Sequence, residues 1–110
     1  MDACLNTLKA NAKNIDVALL GKVTKAVTVQ GTNHDVCTIE VKEIIKGPAK
    51  LKSVQGAFLN SGALGPPRPG TEGLWIMTTP NPRSGIRQSV YHAEKPSPEL
   101  LKAVKQFFQK

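Results

Sequence analysis

The residues able to do chemistry are few and scattered. His34, Asp35 and Cys37 fall close together, and side chains of these types could hold a metal if they folded toward one point. Adjacent ligands on a turn, followed by a strand cysteine expected to point inward, do not match the paired spacings of zinc sites. His92 is the only other histidine and is expected at a strand end as an ordinary polar residue. Asp16 and Glu43 have no evident partner for acid–base work, and isolated carboxylates of this kind serve as edge charges that discourage sheet aggregation. Gly-x-Ser-x-Gly, His-Glu-x-x-His, the phosphate-cradling Gly-x-x-x-x-Gly-Lys-Ser/Thr and a dinucleotide fingerprint are all missing from the chain. With no nucleophile, base and orienting group to assemble, catalysis is not expected, nor is a metal or a cofactor.

Binding is the other route to function. The formal charge of +7 attracts phosphate, although charge alone specifies no site. A single-strand nucleic-acid platform needs aromatic rings on a sheet face, interleaved with cations. Phe107 and Phe108 belong to a terminal helix, which leaves Phe58, Trp75 and Tyr91. Trp75, within Gly-Leu-Trp-Ile-Met, reads first as core, and strand alternation leaves open which face holds Trp75 and Tyr91. The lysines spread over nearly every segment rather than forming one cluster. The candidate binding surface is Lys22, Lys25, Lys42, Arg68, Trp75, Arg83, Arg87 and Tyr91.

These residues must be positioned by a small β-rich fold. Leu5, Leu8 and Ala12 have helical spacing, which predicts a short helix over Ala3–Lys13. Ile15–Val29 is rich in Val, Ala, Leu and Thr and reads as a strand, with Gly21 marking a bulge or tight bend. Gln30–Asn33 supplies a turn. In Val36–Lys42, Cys37, Ile39 and Val41 alternate with Thr38, Glu40 and Lys42, so Cys37 should enter the core. Further strands are expected at Leu51–Leu59, Leu74–Thr79 and Ile86–His92, joined as a meander. Asn60–Gly73 has three prolines and four glycines and is too long for a tight hairpin; with the Pro80–Gly85 turn it is the natural place for recognition. The C-terminal helix is the clearest element, with Ser97 as cap, Pro98 at the first position and Leu100, Leu101, Val104, Phe107 and Phe108 on one stripe.

At 110 residues and 40% apolar composition, the chain fits one domain with one core. No stretch is apolar enough to cross a bilayer as a helix. Two cysteines, Cys4 and Cys37, permit one disulfide at most, and both the bridge and the free thiols remain compatible with the sequence. A monomer is expected.

Three segments carry a resemblance: Ile15–Lys25 (IDVALLGKVTK), Thr38–Gly47 (TIEVKEIIKG) and Gly70–Met77 (GTEGLWIM). In order and pattern they resemble small exported bacterial domains of uncharacterised function. They are also distantly similar to the oligonucleotide/oligosaccharide-binding (OB) barrel of the tissue inhibitors of metalloproteinases. The resemblance implies a mainly β fold: an OB-like barrel of about five antiparallel strands spanning 1–110, with a short N-terminal helix and an amphipathic C-terminal one. It also implies an extracytoplasmic, periplasmic or secreted setting, with an export signal encoded upstream of Asp2; a cytoplasmic one is the alternative. Protease inhibition is not implied, because the inhibitors use an amino-terminal Cys-x-Cys and this chain has none. The expected function is a non-catalytic interaction module with an anionic protein or envelope component as partner. The alternative is single-stranded nucleic-acid binding on an OB barrel.

Overall fold

The computed structural model describes residues 2–31, 33–59 and 67–109. Its elements are α1 (Asp2–Asn11), β1 (Ile15–Thr28), β2 (His34–Lys46), β3 (Ser53–Leu59), β4 (Glu72–Thr78), β5 (Arg87–Glu94) and α2 (Pro98–Phe108). The expected elements are therefore all present, with ends displaced by a few residues; β2 begins earlier and runs four residues beyond Lys42. The segment 60–66 of the expected recognition loop, Thr32 of the β1–β2 turn and Lys110 of the terminal helix lie outside the described residues.

Two expectations about connection are corrected. The strands form a closed barrel in the order β1-β2-β3-β5-β4, not a sequential meander. Nor are all neighbours antiparallel, because β3 and β5 run parallel across a short seam, Gly56↔Arg87 and Ala57↔Gln88. Closure in this order places β3 and β5 side by side in the same direction, whereas a hairpin meander can make only antiparallel neighbours. Gly56 suits the seam, since a Cβ there would sit 2.7 Å from Met77 Cε.

The long first strand makes closure possible. Ile15–Lys22 pairs with β4, while Ala18–Thr28 pairs with β2, so the middle of β1 serves both neighbours. Register shifts at Ala18/Leu19, Leu20/Gly21 and Val23/Lys25 bend it between them. Gly21 lies at one of these shifts, as its position in an apolar run predicts. A Cβ on it would fall 2.6 Å from Glu40 O and 2.7 Å from Ile39 Cγ2.

The core has two layers. Val17, Leu19, Val23, Cys37, Ile39, Val54, Phe58, Trp75 and Met77 fill the barrel. Cys4, Leu8, Ile15, Ala18, Leu74, Ile76, Leu100 and Val104 form the second layer between the barrel wall and the helices. This explains the unbroken apolar run in β4: Trp75 and Met77 point inward, and Leu74 and Ile76 point outward beneath the helices. Ser97 Oγ accepts from the Leu100 amide at 3.2 Å and starts α2 with Pro98 in its first turn. Phe107 and Phe108 only partly enter this layer, packing edge-to-face at 5.0 Å, with Lys46 Nζ 5.6 Å from the Phe108 ring. Cys4 and Cys37 are both buried free thiols, one in each layer.

Candidate interaction surface

The candidate chemical groups do not converge. Alternation along β2 sends Asp35 and Cys37 to the buried side and leaves half-buried His34 on the other. Burial, with the Asp35 charge adding to it, pushes the Cys37 thiol up to about 11, so it stays neutral near the Pro67 carbonyl, 3.7 Å away. Among the described residues no three His, Cys, Asp or Glu side chains could hold a metal ion.

His92 is not the strand-end polar residue expected. It sits within β5 opposite Trp75, stacked on the indole at 5.6 Å with the planes 16° apart. Phe58 meets both rings edge-on, at 5.8 Å from Trp75 and 5.4 Å from His92. Desolvation in this cluster lowers the His92 pKa, against the opposing pull of Glu94. The carboxylates thought to be isolated are paired: Asp16 with Arg87, and Glu43 with Lys105 at 3.0 Å. Two long-range contacts make these pairs, and no local spacing announces them.

Several candidate binding residues are likewise removed from the surface. Trp75 is fully buried, and its Nε1–H donates to Gly21 O at 2.9 Å. Arg87 has only 11% of its side chain exposed and is held by Asp16 and by Thr78 O at 3.1 Å. Tyr91 lies in the layer beneath the helices, which also contains Cys4. Its hydroxyl pKa is raised, chiefly by desolvation. Arg83 is exposed in the β4–β5 turn, where its backbone N–H donates to Asn81 Oδ1 at 2.8 Å.

The remaining cations fall into two groups. Lys22 stands in register between Glu40 of β2 and Glu72 of β4. Lys42 is 2.9 Å from Glu40, and this bond lowers the Glu40 pKa and raises that of Lys42. Lys42 and Glu72 also border a shallow groove of about 370 Å³, floored by Leu20, Pro96 and Leu101, with Lys95 at its rim. This face is a lattice of alternating charge rather than a uniformly positive patch. Lys25 and Arg68 differ from it: both are exposed, and neither has an ion pair among the described residues. Backbone bonds bring their segments together, since Val23 N–H donates to Thr71 O at 2.9 Å and Gly70 N–H donates to Val23 O at 2.7 Å.

Beyond Val23, no strand among the described residues lies against the β4 side of β1. Lys25, Ala26, Val27 and Thr28 pair with β2 alone. Val27 and Val29 are exposed at 48% and 39%, the large apolar side chains most open to solvent among the described residues. Lys25, Val27, Thr38 and Val36 share the outer face here, continued on β3 by Gln55 and Ala57. The outer strand residues of β2 and β3, from Val36 to Glu40 and Ser53 to Ala57, include neither an aromatic ring nor a cation. Sequence reading found β1 and its length but not this half-paired end, which depends on where β4 stops.

No known family model matches the chain, and no curated protein matches it significantly.

Proposed function

We propose that this chain is a non-catalytic interaction module for an anionic partner, belonging to an exported bacterial protein. The observation that carries the reading is the placing of Lys25 and Arg68 beside an exposed, half-paired strand: cations without an ion pair among the described residues, on backbone segments joined by the Val23 hydrogen bonds, where an incoming partner meets little competition. Export rests on the resemblance of Ile15–Lys25, Thr38–Gly47 and Gly70–Met77 to exported domains, and fractionation of the native organism tests it.

Single-stranded nucleic-acid binding is the second reading, favoured by the +7 charge and by a strand order shared with OB barrels. Its usual platform is the β2–β3 face, and here Val36, Thr38, Gln55 and Ala57 offer no ring on which a base can stack. Amide-resolved titration with polyglutamate and with single-stranded DNA, at ~20 and ~150 mM salt, separates the two readings. The interaction-module reading expects polyglutamate shifts around Lys25 and Arg68 that weaken with salt. Saturating DNA shifts on the β2–β3 face at both salts would replace it with the nucleic-acid reading.

A further inference from the structure

We propose that the edge Thr24–Thr28 of β1 takes up an extended, acidic segment of another polypeptide as an added strand. This rests on the interaction-module reading and specifies its mode and its partner.

In an antiparallel pair, alternate residues direct their N–H and C=O groups away from the partner strand. Along Lys25–Thr28 β2 occupies one side, and the β1–β4 pairing has already ended, at Lys22↔Glu72, with the Val23 bonds to Gly70 and Thr71 as its last contacts. Among the described residues the outward backbone groups therefore have no strand partner, and Thr24, Lys25, Val27 and Thr28 are exposed. Only an extended chain satisfies such a row, which fixes the conformation of the occupant.

The side chains fix its chemistry. Natural edges are guarded by charge, proline, a bulge or a covering loop. The corresponding overhang of β2, Lys42–Lys46, carries Lys42, Glu43 and Lys46 and has the Gly47–Leu51 turn beside it. The β1 overhang reads Thr24-Lys25-Ala26-Val27-Thr28, β-branched at three of five positions, without proline, with one charge and with the Val23/Lys25 register shift at its start. That charge is a lysine, and Arg68 lies on the segment bonded to Val23, so the edge repels a cationic strand and attracts an acidic one. Val27 and Val29 on the outer face select apolar or β-branched side chains at the centre of the incoming segment. A second copy of this chain is a poor occupant: two molecules of charge +7 would have to meet. So short an edge also falls well below the ~1,200 Å² of a stable protein interface.

The test is an amide-resolved titration of the whole chain with an acetylated, amidated octapeptide having a Val-Thr-Val-Thr centre and two glutamates at each end. The comparison peptides replace glutamate by lysine or carry N-methyl groups on alternate central residues. The expected result is saturable shifts and slowed amide exchange at Thr24–Thr28, with shifts at Arg68. Lys25→Glu, on an exposed side chain, should weaken binding about tenfold, and neither comparison peptide should bind. Equal binding by the N-methylated peptide overturns strand addition while leaving the anionic-partner reading intact. Absence of binding by every acidic peptide overturns both. Sedimentation of the free protein as a dimer with Thr24–Thr28 protected overturns the assignment of a foreign segment.

Discussion

Trp75→Phe measures whether the indole is a structural post of the barrel. Phenylalanine keeps a ring beside Phe58 and His92 but removes the Nε1–H that reaches Gly21 O, 2.9 Å away, in the buried interior. A buried carbonyl deprived of its donor costs about 1–3 kcal/mol. The missing five-membered ring leaves a void worth about 2 kcal/mol at ~0.8 kcal/mol per lost methylene equivalent. The expected loss is therefore roughly 3–5 kcal/mol, a large part of the ~5–15 kcal/mol that stabilises a domain of this kind. At about 4 °C per kcal/mol, Tm should fall by roughly 12–20 °C. Urea unfolding followed by far-UV circular dichroism reads the change without needing the tryptophan, and the denaturant slope should be unchanged. A loss below ~1 kcal/mol with the same slope refutes the buried hydrogen bond and reopens Trp75 as a surface residue.

Three further perturbations follow from the same packing. Because burial holds the His92 pKa below its ordinary value, the unfolded chain binds the proton first; stability should be full above about pH 6.5, fall as pH drops below it, and level off beneath the native pKa, with His92→Phe flattening this segment of a pH-dependent unfolding series. Gly21→Ala drives a methyl against Glu40 O and Ile39 Cγ2 and should cost about 1–3 kcal/mol in chemical denaturation; a neutral effect would mean that the bulge can relax. Asp16→Ala strands the largely buried Arg87 guanidinium and should destabilise by about 1–3 kcal/mol, whereas the Asp16→Ala, Arg87→Met double variant should recover most of it, and additive losses in the cycle would reject a coupled pair.

Elements with strong local signals were legible in the sequence. Ser97-Pro98-Glu99 followed by an apolar stripe locates α2, alternation places Cys37 inside, and an isolated glycine in an apolar run marks the Gly21 bulge. The parallel β3–β5 seam was not legible, because Gly56↔Arg87 joins residues far apart in sequence and only closure of the whole sheet creates it. The same limit applied to the candidate surface. Lys25 and Arg68 are exposed, whereas Trp75 and Arg87 are held by partners in distant elements, Gly21 and Asp16, and Tyr91 packs in the layer that contains Cys4. A strand pattern shows that alternate side chains face oppositely, but not whether a helix will later cover the outer face. Here helices cover the face that bears Tyr91, and none of the described elements covers the face that bears Val27.

The half-paired end of β1 has a simple origin in strand length. β1 has 14 residues and β4 has 7, so a strand long enough to bend between two neighbours outruns one of them. β2, with 13 residues, follows β1 to its end and pairs with the overhang. Closing a five-stranded barrel did not require the overhang, since the β1–β4 seam is complete by Val23. Retaining further residues there carries the aggregation hazard of an open, β-branched edge. A chain under pressure only to fold would shorten the hairpin or guard it as the β2 overhang is guarded. With only the Val23/Lys25 register shift and one lysine to guard it, this edge is the more open of the two overhangs, and under the strand-addition proposal Lys25 sets which kind of strand it admits.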